Sequence, residues 1–407
     1  MNAAVVTGIG VVAPNGLSTE EYWSAALAGR SGIGRITRFD PERYRATLAG
    51  EIRGFDPAAH LPSRLIPQTD HSTRLSLVAA DQAIRDAGLD TGQLPEYGVG
   101  VVTANSAGGF EFGHQELDNL WRQGPEYVSA YQSFAWFYAV NTGQISIRHG
   151  LRGPSGVLVA DEAGGLDALA QARRLLRRDL NAVVTGAVDG SLCPWGWIAQ
   201  TATGQLSTAQ DPALAYRPFD EEAAGFVPGE GGAILVVEDE AAARKRHAPQ
   251  VHGRLLGYAA TFDPKPGTAP ADDTSALRGA IELALADAGA APDDIDAVFA
   301  DAAGIAHLDR AEAAALTAVF GERELPVAIP KTLTGRLCAG AGPLDVATAL
   351  LALRDGVLPP AAHTRPSPRY GLQVIVDRPL ELRMGAVLVV ARGLGGFNSA
   401  MVVGASH

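Results

Sequence analysis

The sequence predicts an α/β protein made of two similar halves, residues 1–250 and 251–407. Its 407 residues are more than one ordinary hydrophobic core accommodates, so two units or a duplicated unit are expected. Apolar strands alternate with amphipathic helices in both halves, which is typical of an α/β fold. A glycine-led segment at residues 164–168 (GGLDA) also has a counterpart at residues 342–346 (GPLDV), and each opens a helix behind a strand.

Hydrophobic periodicity places strands and helices along the first half. Ser18 and Glu21 form a capping box that predicts the start of the first helix. Gly88 is expected to end the second helix, because a glycine commonly follows a helix C-terminus. The predicted strands are residues 5–12, 97–103, 155–159, 181–187 and 233–238, and the predicted helices are residues 19–28, 72–87 and 164–176.

The second half repeats this alternation after a charged segment, residues 239–250, which is interpreted as a linker. Pro343 suits the first turn of a helix, since it has no backbone N–H to satisfy there. The predicted elements are a helix at residues 275–288, strands at residues 295–300 and 325–330, a helix from about Pro343, and a last long strand at residues 386–392.

Composition excludes several classes of partner. A net charge of −12 argues against nucleic-acid binding, and no apolar run is long enough to span a membrane. The N-terminus lacks the basic and apolar regions of a signal peptide. The two cysteines, Cys193 and Cys338, cannot form a disulfide framework and fit a reducing compartment. A cytoplasmic location is therefore expected.

No cofactor or metal is expected. Residues 8–13 (GIGVVA) follow a strand as a dinucleotide fingerprint would, but Pro14 and Gly16 prevent a helix from starting immediately. The nine histidines are scattered, and no pair lies at metal-ligand spacing beside a carboxylate.

The strand, tight turn and helix at residues 155–176 resemble an elbow that presents a nucleophile. The positive end of a helix lowers the pKa of a thiol placed there, so such a turn often carries a reactive residue. Here the residue at the turn is Glu162. A carboxylate is stable beside a helix N-terminus, but it forms thioesters poorly.

At this elbow the sequence resembles the β-ketoacyl synthases of the thiolase superfamily. The resemblance implies a duplicated thiolase-like fold with five layers, α-β-α-β-α. Members condense an acyl thioester with a malonyl thioester, using an elbow cysteine and two histidines. The matching segments are residues 6–12 (VTGIGVV), 206–208 (LST), 217–220 (RPFD), 225–231 (GFVPGEG) and 395–400 (GGFNSA).

The family's reactive positions carry other residues in this chain. The resemblance places Glu162 at the cysteine position, Asp301 and Arg336 at the histidine positions, and retains Lys331. An ionised aspartate only accepts hydrogen bonds, so it would repel an enolate. Arg336 is expected either to donate to a bound group or to form a structural salt bridge with Glu162 or Asp301. Cys338, two residues later, is either a stray nucleophile or a buried structural thiol.

Within the superfamily the sequence resembles the chain-length factors, the ketosynthase β subunits of bacterial type II aromatic polyketide synthases. The segments that carry this resemblance are residues 134–146 (FAWFYAVNTGQIS) and 194–197 (PWGW). Members usually carry glutamine at the elbow, so Glu162 is a departure. The resemblance implies that this chain forms a heterodimer with a catalytic ketosynthase α subunit and is not catalytic alone. It also implies that an acyl carrier protein delivers the thioesters.

The family's gating positions correspond to Phe110, Gly113, Leu117 and Trp195. The first three would share one helix face, given their spacing of three and four residues. A bulky side chain would close a polyketide tunnel and a small one would lengthen it. Gly113 and Leu117 therefore predict a decaketide to dodecaketide product, unless the glycine is only a helix break.

Two other functions are kept as alternatives. The chain could be an independent β-ketoacyl synthase that uses Glu162 or Cys338, which predicts covalent acyl labelling. It could also be a scaffold that stabilises the ketosynthase without contacting the polyketide. The starter unit, the final product and the carrier-protein docking surface are left open by the sequence.

Overall fold

The structure is a computed structural model that describes residues 3–178, 180–263 and 274–406. The strands of this described part are β1 Ala4–Val12, β2 Ile33–Arg35, β3 Leu48–Gly50, β4 Val99–Ala104, β5 Ser155–Leu158, β6 Ala182–Asp189, β7 Gly231–Asp239, β8 Gly253–Phe262, β9 Ala297–Phe299, β10 Pro326–Ala328, β11 Val357–Leu358, β12 Gln373–Val374, β13 Leu380–Glu381, β14 Ala386–Arg392 and β15 Phe397–Gly404. Its α-helices are α1 Thr19–Leu27, α2 His71–Asp86, α3 Phe110–Arg122, α4 Gln132–Ala135, α5 Val140–His149, α6 Gly164–Leu176, α7 Pro194–Thr201, α8 Pro212–Ala215, α9 Glu240–Lys245, α10 Ser275–Ala288, α11 Ala306–Phe320, α12 Lys331–Thr334 and α13 Ala341–Asp355.

Eleven of these strands follow one another in the order β12-β10-β9-β14-β15-β8-β1-β7-β6-β4-β5. The order contains the same pattern twice. In the first half, β1 and β7 pair antiparallel, β7 and β6 pair antiparallel, and β6, β4 and β5 are parallel. In the second half, β8, β15, β14, β9 and β10 repeat these directions. The two half-sheets join where β1 pairs with β8 over Val5 and Val6. The predicted duplication is therefore visible in the strand pairing.

The helices α6 and α13 lie between the half-sheets and fill the central core. Leu166 and Leu169 of α6 and Leu344 and Leu350 of α13 are buried in one cluster with side chains from both halves. The helix α2 covers the outer face of the first half-sheet, and α10 covers the outer face of the second. The predicted five-layered, thiolase-like α/β fold is confirmed. Its two central helices are opened by the related segments at residues 164–168 and 342–346.

Several sequence-based boundaries were wrong. Residues 239–250 are not a plain linker, since they contain helix α9. The strand predicted from residue 97 begins at Val99, and Tyr97 is exposed. Strand β8 was missed, and β14 is followed by a further long strand, β15. No helix among the described residues is both long and apolar enough to cross a membrane.

Candidate functional site

The elbow lies between β5 and α6, as the sequence predicts. Asp161 adopts a left-handed backbone conformation (φ +50°), and Glu162 follows it just before α6 begins. The Asp161 carboxylate accepts a hydrogen bond from the Leu394 backbone N–H (2.7 Å), which ties the turn to the loop before β15. Gly165 has no room for a side chain, because a Cβ there would lie 2.2 Å from Cδ of Pro343. The starts of the two central helices therefore meet directly behind Glu162.

Arg336 joins the three altered positions into one buried cluster. Its Nε–H donates to Oε1 of Glu162 (2.7 Å), and its second terminal nitrogen contacts the other oxygen of that carboxylate. The terminal nitrogens also donate to both carboxylate oxygens of Asp301 (3.1 Å each). All three side chains are more than nine-tenths buried. The ring of Phe226 lies 5.6 Å from the guanidinium and covers one of its faces. The predicted salt bridge of Arg336 with Glu162 or Asp301 is confirmed, and it involves both.

The charges within this cluster compensate one another. Burial lowers the pKa of Arg336 to about 10, so the guanidinium is still charged at neutral pH. Burial, aided by the nearby Glu312 carboxylate, raises the pKa of Asp301. The direct contact with Arg336 favours the ionised form instead. Within this cluster one cation therefore serves two carboxylates.

The loop that carries Asp301 is fixed by a second acidic residue. The Glu312 carboxylate accepts the backbone N–H groups of Asp301 (2.7 Å) and Ala302 (2.8 Å). The Arg392 backbone N–H donates to the Asp301 carboxylate (2.9 Å). Asp309 accepts N–H groups from Phe219 (2.9 Å) and Gly304 (3.0 Å). These bonds hold the Asp301 side chain against Arg336.

Lys331, the retained family residue, is buried beside the cluster. Its ammonium donates to the backbone carbonyl of Ala300 (3.0 Å) and pairs with the Asp345 carboxylate of α13. Lys331 thus connects the Asp301 loop to the central helix. Its charge is compensated by Asp345, which suits a structural role.

Two groups of this arrangement, the Glu162 carboxylate and the Cys338 thiol, are poorly suited to accept an acyl chain. The Glu162 carboxylate is held by Arg336, and carboxylates form thioesters poorly. Burial raises the pKa of the Cys338 thiol well above its usual range, and Asp189 and Asp161 act in the same direction. A thiol is unreactive until it ionises. No group of histidine, cysteine or acidic residues in the described ranges could hold a metal ion.

The predicted gating residues come together on a different surface. Phe110, Gly113 and Leu117 lie on one face of α3, which confirms that this stretch is helical. The Phe110 ring stacks on the ring of Trp195, with centroids 4.6 Å apart. A Cβ at Gly113 would lie 3.2 Å from Cζ3 of the same tryptophan. Leu117 and Trp195 are partly exposed, so this face of α3 is open beside the stack.

The first turn of α3 is anchored by polar contacts that the sequence did not reveal. The Asp70 carboxylate, at the start of α2, accepts the backbone N–H of Phe112 (2.8 Å). Arg38 pairs with Glu111 (3.2 Å) and with the buried Glu230. Burial opposes ionisation of Glu230, but His71 and Arg38 outweigh it and lower the pKa of Glu230 to about 2. The only sequence signal was that Asp70 has the residue type of a helix N-cap.

Exposed aromatic residues lie near the Phe110–Trp195 pair and at the end of α3. The segment between α4 and α5 presents Trp136, Phe137 and Tyr138, all partly exposed, and the rings of Phe137 and Tyr138 lie 4.3 Å apart. Trp121, at the end of α3, is 81% exposed. Rings exposed in such number are typical of a surface that another protein covers.

Comparison with known proteins assigns the chain to a family. Residues 1–243 match the family model described as "Beta-ketoacyl synthase, N-terminal domain", and residues 252–365 match "Beta-ketoacyl synthase, C-terminal domain". The chain belongs to the β-ketoacyl synthase family. Within it, the chain is 59% identical over 402 residues to the tetracenomycin polyketide synthase ketoacyl synthase β subunit of Streptomyces glaucescens. That alignment covers 98% of this chain and 97% of the relative, and it confirms the resemblance to ketosynthase β subunits.

Two solved structures share the whole fold. One is described as the ishigamide ketosynthase/chain length factor, with 26% identity, a TM-score of 0.90 and full coverage of both chains. The other is a type II polyketide synthase acyl-carrier protein in complex with its ketosynthase bound to the hexaketide. It shows 26% identity and a TM-score of 0.90, and the match covers 99% of each chain.

Proposed function

We propose that this chain is a chain-length factor. It pairs with a catalytic ketosynthase α subunit, forms one wall of the polyketide tunnel and sets the length of the poly-β-keto chain. A partner acyl carrier protein supplies the malonyl and polyketide thioesters. The observation that carries the proposal is the ion-paired cluster of Glu162, Arg336 and Asp301, which occupies the positions where a condensing enzyme of this family needs its reactive groups.

The cluster argues against the first alternative, an independently active synthase. Condensation needs a nucleophile to accept the acyl group and donors to stabilise an enolate. Glu162 and Asp301 are both acceptors here, and their partner Arg336 is already engaged by both. Incubation of the purified chain with radiolabelled acetyl and malonyl thioesters is expected to leave no covalent label. Label that disappears in a Cys338→Ser or Glu162→Gln variant would support the alternative instead.

The face of α3 that carries Gly113 and the partly exposed Leu117 argues against a pure scaffold. Phe110 and Trp195 form an aromatic pair, and Gly113 lets Trp195 pack closely against α3, since a Cβ there would lie 3.2 Å from Cζ3 of the tryptophan. A tunnel that passes this point would be longer than one closed by a bulky residue. We therefore assign a product of decaketide to dodecaketide length to the assembled complex.

The decisive experiment is co-expression of the chain with its ketosynthase α subunit and acyl carrier protein. The product of the wild-type complex is compared with that of Gly113→Phe. A chain-length factor gives a shorter product with Gly113→Phe, whereas a scaffold gives the same product from both. Gly143, a helical glycine with no atom within 4 Å of its Cβ position, provides the matched control as Gly143→Phe.

The same proposal includes two further points. The chain divides into halves at residues 1–250 and 251–407, and its location is cytoplasmic. The β1–β8 junction supports the division, since β8 begins at Gly253 and starts the second copy of the strand pattern. Cys193 and Cys338, both free thiols, are in keeping with a reducing compartment.

A further inference from the structure

A polar side chain that the family resemblance does not assign lies near Gly113. A Cβ at Gly113 would lie 3.2 Å from Cζ3 of Trp195, 3.7 Å from Cβ of Trp136 and 3.9 Å from Nε2 of Gln132. Trp195 belongs to α7, and Gln132 opens α4. The amide nitrogen of Gln132 therefore lies beside Gly113, next to the two tryptophans that border the gate.

The Gln132 carboxamide is incompletely satisfied by the protein. Its Oε1 is buried and has no hydrogen-bond partner among the described residues. Buried amide oxygens in folded proteins nearly always have a partner, so an unpaired one at a gate needs an explanation. A carboxamide can also turn over and exchange its donor and acceptor ends, because the two orientations have almost the same shape.

The backbone around Gln132 is held in a fixed position relative to α3. The Gly109 N–H, at the start of α3, donates to the Trp136 carbonyl (2.9 Å). The Gln132 N–H donates to the Ser129 carbonyl (3.0 Å). The Ser129 N–H in turn donates to the carboxylate of Glu116, a buried residue of α3 (2.6 Å). The carboxamide is therefore presented to the gate from a rigid support.

A poly-β-keto chain has the chemistry that would complete this site. It carries a ketone, a hydrogen-bond acceptor, at every second carbon, and each β-diketone can enolise to give an O–H donor. The carboxamide provides one acceptor and two N–H donors. The stacked rings of Phe110 and Trp195 can contact any carbon of the polyketide equally well. A hydrogen bond to Gln132 forms only when a ketone oxygen lies beside the carboxamide, so it favours one placement of the polyketide at the gate.

We propose that Gln132 is a specificity-determining residue, whose carboxamide hydrogen-bonds a ketone or enol of the polyketide at the gate and fixes the register in which the chain stops growing. This inference rests on the proposed chain-length function. In this view Gly113 sets how far the chain can extend, and Gln132 sets how sharply one length is preferred over its neighbours.

The test uses the co-expressed complex and measures the ratio of the main product to the products one unit shorter and longer. Gln132→Leu and Gln132→Met remove the carboxamide while keeping a similar volume. Each is expected to lower that ratio about twofold to tenfold, the effect of losing one neutral hydrogen bond. Gln123→Leu is the matched control, since Gln123 follows α3, is exposed and bonds only Asn119 (3.1 Å) through its side chain.

The outcomes separate this inference from the proposed function. An unchanged ratio in both Gln132 variants, together with a shorter product from Gly113→Phe, would overturn the role of Gln132 and leave the chain-length function standing. An unchanged product from Gly113→Phe as well would overturn both. Co-purification of each variant with the α subunit shows that the complex has formed. An equal loss of ratio in Gln123→Leu would also count against Gln132.

Discussion

Removing the arginine from the ion-paired cluster is expected to be the most destabilising single change at the altered site. Arg336→Met keeps an unbranched side chain of similar length but leaves the Glu162 and Asp301 carboxylates buried without their cation. Breaking a buried ion pair by removing one partner costs about 3–5 kcal/mol, because the remaining charge is uncompensated. Two carboxylates are left here, both at least 94% buried in the native chain, so the upper part of that range is expected.

The assay is the free energy of unfolding from equilibrium urea denaturation of the full chain. Glu162→Gln is expected to cost less than about 1.5 kcal/mol, since Arg336 keeps Asp301 and the amide oxygen still accepts its Nε–H. The double variant Glu162→Gln/Arg336→Met is expected to be more stable than Arg336→Met alone, because one of the two unpaired charges is gone.

A surface pair provides the matched control. Arg278 and Glu282 lie one turn apart on α10 at 2.7 Å, and both side chains are about half exposed. Arg278→Met is therefore expected to cost less than about 0.5 kcal/mol. If Arg336→Met cost no more than this control, the cluster would not be the buried, mutually compensated unit described above.

Three further predictions concern individual residues. Burial raises the pKa of Asp309 to about 7, so the folded chain keeps this proton while the unfolded chain releases it near pH 4. Its contribution to stability therefore falls as pH rises between those values. Asp309→Asn should remove this dependence, which amounts to up to about 1.4 kcal/mol of unfolding free energy per pH unit. Urea denaturation at pH 5 and pH 7 measures the difference. Asp70→Asn should cost about 1–3 kcal/mol in the same assay, because the Ser72 and Phe112 N–H groups bond different carboxylate oxygens and an amide replaces one of these with an NH2 donor; an unchanged stability would show that α3 does not depend on this contact. Trp195→Ala should shift the co-expressed complex toward longer products, since it removes the ring stacked on Phe110; a product of unchanged length would show that this pair does not border the tunnel.

Local patterns were enough to predict the elements that carry the two surfaces. The elbow at Glu162 and the helix α6 follow from a strand, a small-residue turn and an amphipathic segment close together in the chain. The shared face of Phe110, Gly113 and Leu117 follows from helical spacing alone. The pairing of Arg336 with carboxylates was expected from charge and from the family positions, although 174 residues separate it from Glu162.

Other features depend on contacts that a local pattern does not contain. Strand β15 carries polar residues that are nevertheless buried, so its sequence does not read as an apolar strand. Its Asn398 donates to Asp263 (2.8 Å), and its Ser399 donates to Asp167 of α6 (2.5 Å). Both partners are distant in sequence, and the Ser399 bond forms only after the two halves have assembled. The Asp70 anchor of α3 and the position of Gln132 beside Gly113 are tertiary contacts of the same kind.

The length of the product made by the reconstituted complex tests the central claim most directly. The wild-type chain, co-expressed with its ketosynthase α subunit and acyl carrier protein, should give a decaketide to dodecaketide product identified by mass spectrometry. Gly113→Phe in the same complex should give a shorter one. An octaketide from the wild-type complex would contradict the predicted length. Products of equal length from the two complexes would contradict the claim that this chain controls length at all.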